Sequence, residues 1–247
     1  DLSELGEPDA YAQLRRIVDP VAERLGAVVV WVPGERDARE AFRTGLLGQL
    51  PSDDPIDRVT YLDGLRIITL DTSVPGFHHG ELTHSQRDWL TDELATPAPY
   101  GTIIAMHHPP VPCMFDLHAA VELRDQADFA RVIAGSDVRS IIAGHLHYST
   151  TATFAGIPVS VSSATCYTQD LTAPLGAQRS VDAGQSYNLI SVYDDTIMHT
   201  VVPIVDGPVI SWVSAEESAR LLELEDVVIE ESAVAAARDA DRANRCV

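Results

Sequence analysis

Apolar positions near the start of the chain fall at helical spacing. Tyr11, Leu14, Ile17, Val18, Val21 and Leu25 recur close to every 3.6 residues, which predicts an amphipathic helix over residues 8–25 with Pro8 in its first turn. The pattern then changes to a short β-branched run at residues 27–32, ending in Pro33-Gly34, and this predicts a buried strand. Residues 38–50 return to helical spacing. Residues 58–71 hold two apolar runs on either side of Asp63-Gly64, the mark of a hairpin with a tight turn. Helices predicted over residues 83–94, behind a Thr83 or Ser85 cap, and over 123–134 alternate with buried strands over 101–106 and 138–143. From residue 150 onward strand follows strand, at 151–154, 157–162, 187–193 and 196–204, which predicts an antiparallel sheet for the second half. The chain is therefore read as α/β over residues 1–205, followed by an acidic extension over 206–247 that turns Ala-rich at 233–237 and is expected to be partly helical and partly disordered.

Composition narrows the chemistry. The 247 residues are 45% hydrophobic, enough to bury a core, and all 17 basic residues are Arg. Without a Lys, neither a P-loop nor a Schiff-base mechanism can operate. The net charge of −20 repels bulk nucleic acid and anionic membrane, so any anionic substrate needs help from a metal ion or an Arg. Ten acidic and four basic residues beyond Ile204 supply −6 of that charge. No apolar run reaches the length of a membrane span. Cys113, Cys166 and Cys246 are scattered and form no CxxC pair, which argues against a disulfide framework or a cysteine zinc site and makes the cytoplasm the expected compartment.

Nine histidines occur, and four of them sit where a ligand site is expected. His107 and His108 directly follow the apolar run 102–106, and His145 and His147 follow the run 140–143 after Gly144. Ligands of open α/β sheets bind beyond the carboxyl ends of the strands, so both strands deliver imidazoles to one edge. In an extended segment, residues i and i+2 face the same way, so His145 and His147 can share one pocket. Neutral imidazole suits zinc, iron, manganese or nickel. Arg39 is read as a solvated helix residue, His108 as a support for the site, and His84, His118 and His199 as background.

The order of these motifs carries a resemblance. Gly34-Glu35-Arg36-Asp37, then His107-His108-Pro109-Pro110, then Gly144-His145-Leu146-His147 resembles the calcineurin-like metallophosphoesterases, and most of all the bacterial class III cyclic nucleotide phosphodiesterases. Asp71-Thr72-Ser73-Val74-Pro75-Gly76 and Thr165-Cys166-Tyr167-Thr168-Gln169-Asp170 look like the same subfamily. The resemblance implies a four-layer α/β/β/α sandwich over residues 1–205, with two metal ions (iron, manganese or zinc) that act on 3′,5′-cyclic nucleotides or other small phosphodiesters. It implies Asp1, Glu35, His107, His145 and His147 as metal ligands and His78 as a substrate contact, and the family's dimeric members admit a homodimer. Asp37 is expected to orient a ligand.

Two departures from the pattern follow. The chain opens on Asp1, which is read as a missing start that leaves out the family's upstream Asp-x-His motif and N-terminal strands. The family's Gly-Asn-His-Asp reads Gly-Glu-Arg-Asp here, so Arg36 stands where the resemblance places the residue that protonates the leaving group. Arg binds phosphate but holds its proton near neutrality, which implies a slowed enzyme. A second reading of the same residues is a catalytically degenerate member kept for binding.

Overall fold

The longest apolar runs of the sequence pair with one another in a computed structural model that describes residues 1–205 and 207–228. Strands β1 (Arg58–Leu62), β2 (Leu65–Leu70), β3 (Thr102–Met106), β4 (Val138–Ala143), β5 (Thr150–Phe154) and β6 (Ile157–Val161) form a six-stranded sheet in the order β1-β2-β3-β4-β6-β5. The β2-β3, β3-β4 and β4-β6 pairs are parallel, while β1 and β5 close the two sides antiparallel. Parallel pairing has a direct consequence for the site, because the carboxyl ends of β2, β3, β4 and β6 all open on one edge.

Local chemistry explains several elements. At the turn between β1 and β2, Asp63 and Gly64 both take positive φ, 48° and 95°, as a tight hairpin of matching twist requires. Helix α1 (Pro8–Leu25) follows the predicted span, and α2 (Arg39–Phe42) runs on as a π-turn over Arg43–Leu47 that ends at Gly48. Helix α3 (His84–Leu94) starts with a capping box in which Thr83 and Gln86 satisfy each other's backbone N–H. Helix α4 (Gln126–Ile133) brings Phe129 and Ile133 onto the sheet.

The two faces of the sheet differ, as strand alternation dictates. Ile68, Leu70, Ile104, Met106, Ile141, Val159 and Val161 pack with Leu90, Leu94, Phe129 and Ile133 of the helices in one core. On the opposite face, Ser140 Oγ lies 3.0 Å from His199 Nε2, and Asn188 Nδ2 donates to Ser160 Oγ at 3.1 Å. Asn188 and His199 belong to an antiparallel pair, β9 (Ser186–Val192) with β10 (Ile197–Pro203). A smaller pair, β7 (Thr168–Gln169) with β8 (Ser180–Val181), follows β6. A second core of Tyr11, Phe42, Leu46 and Ile56, with Leu2, Leu14 and Trp31 against it, supports the Gly34–Asp37 turn.

Three expectations need correction. Residues 27–32 form no strand, because no ladder lies beside them among the described residues, and Val28 is 59% exposed. The second half is not one antiparallel sheet. Its strand β6 joins β4 in parallel, because the 144–149 loop and β5 carry the chain back across the sheet edge before β6 begins. Arg39 is also no solvated residue: its Nε bonds Asp71 Oδ2 at 2.8 Å, and its other nitrogens reach Asp53 O and Ser73 O.

The described residues divide into two compact units, 1–16 with 30–205, and 17–29 with 207–228. The second contains helix α5 (Ala215–Leu224), capped by Ser214. The stretch 233–237 lies outside the described residues. No helix among the described residues is long and apolar enough to cross a membrane.

One half-buried acid near the β2 end makes stability pH-dependent. Asp57 Oδ1 accepts from Asp71 N at 2.9 Å and Gln86 Nε2 at 3.1 Å, and burial pushes its carboxyl up to about 6 despite those bonds, with Asp71 adding to the rise and Arg39 opposing it. Its folded value exceeds its unfolded one, so its contribution is full below pH about 4 and is lost as pH rises through about 6. Asp57→Asn keeps both bonds to Oδ1 and does not ionise. Between pH 4 and 7 the wild type is expected to lose on the order of 1–3 kcal/mol relative to Asp57→Asn, read from urea midpoints at each pH. Parallel curves would contradict this assignment.

Candidate metal centre

The four parallel strand ends place Thr72 after β2, His107 and His108 after β3, His145 and His147 after β4, and Ser162-Ser163 after β6 on one edge of the sheet. The Gly34–Asp37 turn meets them there, held by a single carboxylate. Asp37 accepts from the backbone N–H groups of Leu2, Ser3 and Gly34 and from Tyr11 Oη at 2.8 Å. Burial and the charge of Asp37 push the Tyr11 phenol up, so it remains a donor.

Ligand-type atoms of Glu35, His107, His108 and His145 all lie within 4.8 Å of one another. Glu35 Oε2 stands 2.8 Å from His107 Nε2, 3.4 Å from His145 Nδ1 and 3.6 Å from His108 Nε2, and Asp1 Oδ2 is 3.3 Å from His107 Nε2. The hydrogen bonds outside this cluster decide which nitrogens can bind an ion. His145 Nε2 donates to Val121 O at 3.0 Å, leaving the Nδ1 lone pair turned inward. His147 Nδ1 donates to Tyr167 O at 3.1 Å, which leaves the lone pair on its Nε2. His108 is different. Its Nε2 donates to His78 O at 3.2 Å and its Nδ1 faces Thr72 Oγ1 at 2.8 Å, so both ring nitrogens are engaged.

His108 acts instead as a wedge. It is fully buried, its ring lies 4.4 Å from that of His145 and 5.0 Å from that of His107, and a Cβ on Gly80 would stand 2.5 Å from its Cγ. Gly80 is thus a glycine because the imidazole occupies its side-chain space.

Protonation states suit an ion. Burial opposes the charge of Glu35, but its close contacts with His107 and His145 outweigh it and hold the carboxyl well below the usual range. Burial likewise holds His107, His108 and His147 below the ordinary imidazole range. Metal binding requires an ionised carboxylate and unprotonated ring nitrogens, the direction in which these shifts run. Glu35 Oε2 is buried without a hydrogen-bond partner. The adjacent Arg36 does not neutralise it, since its Nη1 turns to Glu4 Oε1 at 2.7 Å. A buried carboxylate lacking a counter-charge is costly, so the residues present fit a cation.

The cluster opens into a cleft of about 790 Å³ lined by Asp1, Glu35, Arg36, His78, His107, His145 and His147. His145 and His147 both take positive φ, 69° and 55°, so the expected extended geometry does not hold; two left-handed residues, rather than strand alternation, turn both side chains to the cleft. Each such non-glycine residue costs on the order of 1–3 kcal/mol and persists at sites where the surroundings impose it. His147 stands outside the four-residue cluster, and His78 is an exposed residue on the rim whose carbonyl serves His108.

No family model matches the chain. Comparison with curated proteins is decisive: the chain is 58% identical over 233 residues to a Rhodococcus erythropolis protein named "Probable cyclic nucleotide phosphodiesterase", covering 94% of this chain and 77% of that one. It is 55% identical to the cAMP/cGMP dual specificity phosphodiesterase of Mycobacterium tuberculosis, over 94% of this chain and 73% of the relative. The chain belongs to the calcineurin-like metallophosphoesterases, among the bacterial cyclic nucleotide phosphodiesterases. A solved dimetal phosphatase from Danio rerio shares the mixed α/β fold at a TM-score of 0.55, with 14% identity over 80% of this chain and 76% of that one.

The sequence alone does not mark three residues that line this metallophosphoesterase cleft. His118 was read as background, yet its Nε2 lies 2.9 Å from Gln178 Nε2 across the cleft. Ser163 and Gln169 were not singled out, although the end of a parallel β6 leads to Ser163. The signal was present in the strand pattern but required the correct direction for β6.

Proposed function

We propose that this metallophosphoesterase is a metal-dependent phosphodiesterase that hydrolyses 3′,5′-cyclic nucleotides. The observation that carries the reading is the buried, ionised Glu35 facing His107 and His145 at the base of an open cleft. Asp1, Glu35, His107, His145 and His147 are the residues that would hold two ions, iron, manganese or zinc. Bound there, such ions supply a nucleophilic hydroxide and neutralise the phosphate. The chain's own residues do the rest. His108 and Thr72 fix the rings of the ligands, Asp37 anchors the turn that presents Glu35, and Arg36 at the rim binds a phosphate oxygen without giving up its proton.

The engagement of Arg36 by Glu4 favours a second reading, a degenerate member that binds nucleotide without turning it over. The two are separated by measuring metal content of the full chain by plasma mass spectrometry beside chromatographic detection of cAMP and cGMP hydrolysis. Bound metal with turnover that a chelator abolishes and added Mn²⁺ or Zn²⁺ restores is the expected result. Bound metal without turnover supports the second reading, and no bound metal overturns the first.

A further inference from the structure

Polar side-chain atoms buried without a partner are few in folded proteins, and four of those found among the described residues belong to lining residues of one cleft. Glu35 Oε2 faces the metal ligands. The other three are Ser163 Oγ, Gln169 Oε1 and His118 Nδ1. Ser163 and Gln169 are each only 8% exposed.

Their placement relates them to the metal ligands. Ser163 follows the carboxyl end of β6, and Gln169 ends β7. Gln169 N donates to His147 O at 3.0 Å, and His147 Nδ1 donates back to Tyr167 O at 3.1 Å, so this wall is fastened to the segment that carries His145 and His147. A ligand touching the wall is therefore held at a fixed offset from the metal ligands. The lining also includes Leu117, Ala120 and Val121, an apolar surface suited to a flat ring. A cleft of about 790 Å³ is far larger than a phosphate group and lies within the range that encloses a nucleotide.

We propose that Ser163 and Gln169 form the nucleoside-reading wall of this cleft. They hydrogen-bond the sugar hydroxyl and base amine of a nucleoside phosphodiester and so discriminate against diesters that lack them. A donor on the ligand satisfies Gln169 Oε1, and a hydroxyl exchanges a hydrogen bond with Ser163 Oγ. Diesters without these groups leave both atoms unpaired, which is how a site built for a polar partner rejects its apolar analogue. This proposal rests on the phosphodiesterase reading above.

The test compares the metal-loaded full chain with Ser163→Ala and Gln169→Met, using cAMP and bis(4-nitrophenyl) phosphate. The ratio of kcat/KM for cAMP to that for the aryl diester is expected to fall roughly tenfold in each variant, mainly through KM. An unchanged ratio overturns the proposal. If the wild type hydrolyses neither diester, the phosphodiesterase reading has failed and the wall is tested by calorimetry with adenosine 5′-monophosphate and phenyl phosphate. A roughly tenfold loss of preference for the nucleotide in the variants supports the wall. Equal preference, or no nucleotide binding by the wild type, overturns it. Should Gln169→Met lose its circular dichroism signature or its metal, Ser163→Ala, which removes one oxygen, decides.

Discussion

Replacing His107 with Ala is expected to empty the metal centre. Its Nε2 is 2.8 Å from Glu35 Oε2 and 3.3 Å from Asp1 Oδ2, so among the described residues it is the imidazole that meets both carboxylates. Without it the buried Glu35 carboxylate loses its nearest neighbour as well as a fellow ligand. Substituting groups that merely orient a ligand costs about 10–100-fold in metal affinity or activity, so loss of the ligand itself should exceed about 10²-fold in both. Metal content by plasma mass spectrometry and hydrolysis of an activated diester read the effect. His84→Ala is the control, because its side chain is 83% exposed and pairs only with Asp88 on the surface of α3. Full metal content and wild-type turnover in His107→Ala would remove the centre from the reaction.

The second large effect is a gain. Arg36→His is expected to accelerate hydrolysis of diesters with poor leaving groups by about 10²–10⁴-fold, the usual contribution of general acid catalysis. Arg36 lines the cleft and its backbone N–H donates to Asp1 Oδ1 at 2.8 Å, so the position itself is correct for contact with a phosphate. The guanidinium is not a proton donor near neutrality, and its pairing with Glu4 turns it toward the rim. An imidazole there would cycle a proton at physiological pH. The gain should shrink for nitrophenolate, which leaves without protonation. Equal rates for the two proteins on cyclic nucleotides would mean that this enzyme protonates its leaving group from elsewhere.

The parts of the molecule legible in the sequence are those set by neighbours along the chain. Asp63-Gly64 announces the hairpin, Thr83 and Gln86 announce α3, and the run of apolar positions from Tyr11 to Leu25 announces α1. The histidines were also legible, since their position after apolar runs placed them at strand ends. What escaped depends on distant partners. Residues 27–32 have the composition of a strand but no ladder beside them, and β6 could not be known to run parallel to β4 from its own residues. Arg39 looked solvated because its partner, Asp71, lies at the end of another strand. Ser163 carries no motif, and Gln169 lies in a stretch that carries only the family resemblance; only the cleft makes their unpartnered atoms noticeable.

The wide spacing of these partners has a bearing on how the molecule comes into being. His145 Nδ1 and His107 Nε2 are 3.2 Å apart yet separated by 38 residues of chain, and the Asp37 carboxylate gathers N–H groups from 34 and 35 residues before it. Contacts of such long reach form late, after the intervening loops have closed. A ribosome making this protein from its N-terminal end releases Glu35 long before His145 exists to face it. For most of its synthesis the nascent chain therefore carries its ligands singly, as weak and scattered groups, and the capacity to capture an ion arrives at once when β4 docks.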